Sequence, residues 1–350
     1  MLVFTFYVTC IFSGMIEVGA VLWGIGAGYS VEKALGLAIA YQIGNILLFF
    51  LNRKLRRMQG LFAAIACFLA AGIIFLDDPM HRYICAFLCF ALLSTIIQTL
   101  RSAVKSKEPR WRKRCFRVIG FLIAAVMYNY GVYALAAISV MTLILTILCP
   151  KYEDDCWLTK LVRGQYGKNR ICWAMTVHQM HYFVYCYSML LIALFVYNSP
   201  FAASFWFVAN WIPYILTEPL VKLTKTKSWL PFLVGGHILV AGLLIGMYIT
   251  VEQYSLAAMI LWALTGFGGG NVFCIKKSLL KYKEYHDQVW VFSENVGHLL
   301  GVVFALLVYY LTKELPPVLL VGALCAVVTI GLIYSTLIRA GKNIKVKREV

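Results

Sequence analysis

The chain has 350 residues, of which 62% are hydrophobic and 13% charged, with a mean hydropathy of +0.80 and a formal net charge of +17. A soluble domain carries about a quarter charged residues, so composition excludes that class and points to an all-α integral membrane protein. In a soluble chain the positive charge would suggest nucleic acid; here its placement has a membrane explanation, and no nucleic-acid partner is expected.

A bilayer core needs about 20 largely apolar residues per spanning helix. In chain order, such stretches predict helices over 2–24, 33–51, 60–76, 83–104, 116–130, 131–149, 172–197, 201–221, 229–250, 255–275, 288–311 and 316–338. The first could be mistaken for a signal peptide. It lacks a basic leading region and carries Glu17 inside its apolar run, so it reads as a retained helix. The stretch 116–149 is too long for one span, and Asn129-Tyr130-Gly131 offers a tight turn within it.

The connections alternate in charge. Of the 32 Lys and Arg residues, only Lys33, Arg82 and Lys313 fall in odd-numbered connections; the other 29 fall in even-numbered connections and the tail. The positive-inside rule then places both termini in the cytoplasm and supports twelve spans. The longest polar connection, 150–171, divides the chain into an N-terminal six-helix half (1–149) and a C-terminal six-helix half with a basic tail (172–350). Two six-helix halves are the layout of many secondary transporters. The eleven cysteines include no CxxC pair, so no disulfide framework or zinc site is expected.

Polar side chains inside lipid are costly and usually face a cavity or the bundle interior. Counting Asp, Glu, His, Asn and Gln, and leaving aside Gln288 at the very start of its helix, fourteen fall within predicted helices other than the ninth: Glu17, Gln42, Asn45, Gln98, Asn129, His178, Gln179, His181, Asn210, Glu218, Asn271, Glu294, Asn295 and His298. Helices 3, 6 and 12 have none, and helix 9 has only His237. That pattern predicts three-helix groups in which the third member faces lipid.

The stretch Gly28 to Leu37, then Ala40-Tyr-Gln-Ile-Gly-Asn45, resembles the junction of helices 1 and 2 of the major facilitator superfamily, and Leu51-Asn-Arg-Lys-Leu-Arg-Arg-Met-Gln-Gly60 occupies the place of that family's basic loop after helix 2. Glu218-Pro-Leu-Val-Lys-Leu-Thr-Lys-Thr-Lys227 falls at the matching place in the second half, and Arg101-Ser-Ala-Val104 and Lys276-Lys-Ser-Leu279 each end a fourth helix. The loop lacks the family's usual aspartate, and helix 5 has no proline between Gly120 and Asn129. The resemblance implies twelve transmembrane helices in two halves that rock about a mid-membrane site, usually as a monomer. It also implies gating roles for Arg53, Arg56, Arg57, Glu218 and Lys222.

Within that frame Glu17 reads as a carboxylate without a nearby base in sequence, suited to carrying protons. Glu294 and His298 share a helix face at i, i+4. His178 and His181, with Tyr182 and Tyr185 beyond, suit proton or substrate contact; two imidazoles could also hold a metal or haem, though no cofactor or metal is expected. Gln42, Asn45, Gln98, Tyr182, Tyr185, Asn210, Asn271 and Asn295 are cavity-lining candidates. Gly268-Gly-Gly270 fits either a flexible break or close helix packing. No Lys or Arg is expected in a span core, so a cationic, zwitterionic or neutral solute is favoured. No nucleotide-binding loop is present. The leading expectation is a proton-coupled secondary transporter in the plasma membrane rather than an enzyme. The alternatives are a membrane-embedded enzyme or a non-transporting sensor, assembly or haem-binding subunit.

Overall fold

The computed structural model describes residues 2–51, 58–103, 110–148, 170–224, 230–270 and 287–346. Among them are twelve α-helices and no strand: α1 (Leu2–Gly26), α2 (Val31–Phe50), α3 (Gln59–Phe75), α4 (Pro79–Ala103), α5 (Arg110–Val126), α6 (Gly131–Leu148), α7 (Arg170–Tyr197), α8 (Pro200–Leu223), α9 (Leu230–Thr250), α10 (Ser255–Gly270), α11 (Asp287–Thr312) and α12 (Pro317–Val346). Eight of these are long and apolar enough to cross a bilayer, and α3 and α10 are shorter apolar helices. The chain is thus a multi-pass membrane protein.

The turns follow local chemistry. Gly28 takes a left-handed φ of 80° after α1, a conformation glycine reaches without strain. Ser30 then caps α2. Asp78 accepts the amide of His81 at 2.8 Å ahead of Pro79, and Ser199 accepts the amide of Ala202 at 3.2 Å ahead of Pro200. Proline suits the first helical position because its missing N–H would be unpaired there. Tyr128–Tyr130 forms a single 3₁₀ turn between α5 and α6, where Asn129-Tyr130-Gly131 predicts one.

The chain divides into two compact units. The first contains Met1–Thr159 and Leu190–Phe205; the second contains Lys160–Met189 and Trp206–Val350. In the first, α1 packs against α5, α2 against α4, and α3 against α4 and α6. In the second, α9 packs against α10 and α12.

Glycines set the close approaches. A Cβ on Gly14 would lie 2.1 Å from the Arg117 carbonyl oxygen, and one on Gly120 would lie 2.1 Å from that of Ile11. Gly297 and Gly301 on α11 play the same part against Thr176 and Phe183 of α7, and Gly266 against the Asn210 carbonyl of α8. Helix α10 continues unbroken through Gly270, whose absent Cβ makes room for Thr217. Within the described residues the glycine run therefore serves close packing.

Burial agrees with the expected grouping at α6 and α9, whereas in the last group α12 at 44% is more buried than α11 at 33%. The spanning windows of α1 and α7 are 78% and 72% buried, those of α6 and α9 only 33%. Phe68, Phe75, Ile147 and Ile249, on the third helices of their groups, are exposed. Two details differ. Helix α11 is as open as α6 and α9, because Glu294, Asn295 and His298 cluster near its start and the rest is apolar. Helix α9 carries a fully buried histidine on its inner face.

Candidate functional site

In the first unit, a polar cluster forms where α1, α2, α4 and α5 meet. Glu17 is buried, and Arg117 Nε donates to its Oε2 at 2.8 Å while Nη2 makes a second contact to the same oxygen. The Glu17 side chain is 3% exposed and that of Arg117 22%. Arg117 falls at the margin of the predicted fifth span and is half-buried. Helix α5 begins at Arg110 rather than 116, which carries Arg117 two turns into the helix, and a carboxylate 100 residues away stabilises it there. A buried charge persists only when paired and hydrogen-bonded. Arg101, in the last turn of α4, adds a second guanidinium whose field reaches Glu17, Tyr41 and Cys10.

One turn before Glu17, Ser13 Oγ lies 3.3 Å from the Tyr41 hydroxyl, and Gln98 Nε2 donates to Ser13 at 3.5 Å. Asn45 Nδ2 donates to Gln42 Oε1 at 3.0 Å and Ser94 donates to Asn45 Oδ1 at 2.7 Å. Thr95 donates to the Gly44 carbonyl at 3.0 Å. Gln42 and Asn45 are buried and Gln98 half-buried. These candidates do come together, and the structure adds Ser13, Tyr41, Arg101 and Arg117. Only Arg117 left a signal in sequence: it lies just inside the predicted span at 116.

The second unit holds a different arrangement. His178 and His181 on α7 and His237 on α9 are all buried. One ring nitrogen from each lies within 4.8 Å of the others. His178 Nδ1 is 2.8 Å from His237 Nε2, His237 Nδ1 is 2.7 Å from the Leu233 carbonyl, and His181 Nδ1 meets the His178 carbonyl. His237 stood alone in an apolar stretch, and no spacing rule could tie it to residues 59 positions away.

Tyr182 donates to Asn210 Oδ1 at 3.1 Å, and Asn210 Nδ2 donates to the Trp262 carbonyl at 2.7 Å and to Thr265 Oγ1 at 2.8 Å. The Tyr182 ring stacks with Trp262 at 6.2 Å, and Tyr185 meets the same indole edge-on at 5.9 Å. Gln179 Oε1 lies 3.1 Å from His298 Nε2, and the His298 ring stacks on Phe183 at 3.8 Å. Glu294 and Asn295 are half-buried on α11. Glu218 accepts from Lys222 at 2.8 Å, an i, i+4 pair at the exposed end of α8. Arg53, Arg56, Arg57 and Asn271 lie outside the described residues.

No protein-family model matches the chain, and no curated protein matches it significantly by sequence. Solved structures do match. The E. coli fucose:proton symporter FucP is similar at 13% identity with a TM-score of 0.56, covering 96% of this chain and 98% of its own. The nucleoside transporter NupG is similar at 14% identity with a TM-score of 0.64, covering 96% of this chain and 97% of its own. Along nearly its whole length, the chain has the fold of these transporters.

Proposed function

We propose that this chain is a secondary active transporter of the major facilitator type, moving a small polar solute by alternating access and coupled to protons through Glu17. The observation that carries the proposal is the pairing of Glu17, buried in the apolar helix α1, with the half-buried Arg117 of α5, in a fold shared with transporters. Protonating Glu17 removes its charge and releases the guanidinium to another acceptor. A solute oxygen that takes Arg117 therefore competes with the carboxylate for it, and solute binding favours the protonated acid. Such an exchange links two binding events by a shared partner, which is what coupling requires.

The solute is polar and is not a simple cation. Glu17 offsets one of the two guanidiniums of Arg117 and Arg101, the other leaves the cluster positive, and Ser13, Tyr41, Gln42, Asn45 and Gln98 are hydrogen-bonding and neutral. A sugar, a nucleoside or a zwitterion satisfies them; the matching structures are named for fucose and nucleoside transport. Tyr182, Tyr185 and Trp262 supply aromatic faces suited to a planar or ring-shaped solute. His298 and Glu294 belong to the same pathway, with Asn210, Asn271 and Asn295 as polar lining.

The proposal includes the twelve-span, two-half layout, with halves 1–149 and 172–350 joined by 150–171, and both termini in the cytoplasm of a plasma membrane. The charge alternation of the connections supports that orientation. Arg53, Arg56, Arg57, Glu218 and Lys222 form the gating loops. The working unit is a monomer.

Purified protein in vesicles carrying an internal pH indicator tests the reading. Sugars, nucleosides and amino acids are added in turn under an imposed pH gradient. One chemical class should evoke proton movement, and that movement should vanish in Glu17→Gln. Proton flux identical in the variant would remove Glu17 from the coupling step. Covalent turnover of a lipid or peptide without flux would replace the transporter with an enzyme.

A further inference from the structure

We propose that His178, His181 and His237 form a binding site for one transition-metal ion of the zinc class. The three side chains are at most 1% exposed, and a ring nitrogen of each lies within 4.8 Å of the others. The hydrogen bonds fix which nitrogens are available. A carbonyl oxygen only accepts, so Nδ1 of His181, on the His178 carbonyl, and Nδ1 of His237, on the Leu233 carbonyl, both carry the proton. Each ring therefore presents its Nε2 as a lone pair. Pinning one ring nitrogen to a backbone carbonyl to aim the other is also how metal-ligating histidines are oriented.

The two lone pairs have different fates. His237 Nε2 faces His178 Nδ1 at 2.8 Å, so His178 donates there in the metal-free state. His181 Nε2 is buried with no hydrogen-bond partner among the described residues. An unsatisfied buried polar atom is uncommon and costly. A metal ion would answer that lone pair as a hydrogen bond would.

Three neutral imidazoles suit zinc or a neighbouring ion, held at about 2.0–2.1 Å with a fourth position open to water or another oxygen. His178 would join by moving its proton from Nδ1 to Nε2, which turns the Nδ1 lone pair to the ion. The ring stays neutral, so the three ligands bind without losing a proton. Tetrahedral bonds of that length place ligand nitrogens ~3.4 Å apart; small side-chain rotations reach this spacing, opening the His178–His237 pair from 2.8 Å and drawing in the third nitrogen, which lies within 4.8 Å. The site would tie α7 to α9. It does not depend on a transport function.

Cobalt(II) titration of the full-length protein in detergent, after chelator treatment, tests the site. Wild type should bind one ion per chain with the intense visible bands of tetrahedral cobalt, and zinc should displace it. His181→Gln and His237→Gln should weaken binding by more than about 100-fold, beyond the 10–100-fold that outer-shell changes cost. His298→Gln, which alters a nearby imidazole outside the triad, should leave binding unchanged. Equal binding in wild type and the two triad variants, or no tetrahedral spectrum, would overturn the assignment. X-ray absorption at the zinc edge needs wild type alone, so it decides even if the variants fail to fold. A first shell of imidazole nitrogens supports the site, whereas a sulfur shell or no bound zinc refutes it.

Discussion

In the first unit, α1 and α5 cross through Gly14 and Gly120 and are joined by Glu17 and Arg117. In the second, α7 and α11 cross through Gly297 and Gly301 and are joined by Gln179 and His298. The same contrast recurs between neighbouring pairs. Asn45 of α2 meets Ser94 of α4 beside a glycine contact, and Asn210 of α8 meets Thr265 of α10 beside another. Packing of the two units is alike while the chemistry at these crossings diverges: α1 and α5 are joined by an ion pair, α7 and α11 by a neutral amide and an imidazole. The glycines let helices approach, and the side chains brought together at the crossing decide what each unit can do.

Removing the cation from the first unit should have the largest effect. Arg117→Met leaves Glu17 buried without its hydrogen-bonded counter-charge, which costs about 3–5 kcal/mol for a broken buried pair. Thermal unfolding in detergent should show a marked loss, and Glu17→Gln added to Arg117→Met should restore most of it. A double variant as unstable as the single would mean that the two side chains do not act as a pair. His298→Leu in the second unit removes no net charge from its partner and should cost far less.

The shared packing is tested next. Gly120→Leu and Gly297→Leu should each destabilise by about 1–3 kcal/mol through overpacking. An effect in one unit without the other would break the parallel. Smaller still are the interhelical amides. Asn45→Leu and Asn210→Leu should cost about 0.6–1.7 kcal/mol, the range for hydrogen bonds between membrane helices. Asn210, with three partners, belongs at the upper end.

The smallest effect concerns the turn before α4. The backbone amide of His81 holds the Asp78 carboxyl below its ordinary value of 3.8. A depressed folded value adds stability above the unfolded value and loses it as pH falls through the folded one. Unfolding temperatures of wild type and Asp78→Ala should therefore differ slightly near neutrality and converge below pH ~4. A difference that grows on acidification would contradict the cap.

Much of this fold was legible in the sequence because its signals are local. Apolar stretches and charge alternation are read along the chain, and the predicted turn at Asn129-Tyr130-Gly131 appears where α5 meets α6. The start of α5 was not legible: residues 110–115 are basic and resemble a loop, and what admits Arg117 to the helix is Glu17, 100 positions away. The histidine cluster failed for the same reason. His178 and His181 share a helix and their spacing shows it, but His237 lies on another helix in an otherwise apolar segment. Asn45 and Asn210 were identifiable as buried polar groups, while their partners Ser94, Trp262 and Thr265 emerged only from packing.

The central claim is that the ion pair of the first unit couples solute to protons. With the solute identified by the vesicle assay, uphill accumulation driven by a pH gradient can be compared with solute–solute exchange at equal pH. Glu17→Gln should abolish accumulation and retain exchange, because a permanently neutral side chain cannot release a proton but leaves the solute contacts in place. Gradient-driven accumulation that persists in Glu17→Gln would contradict the account.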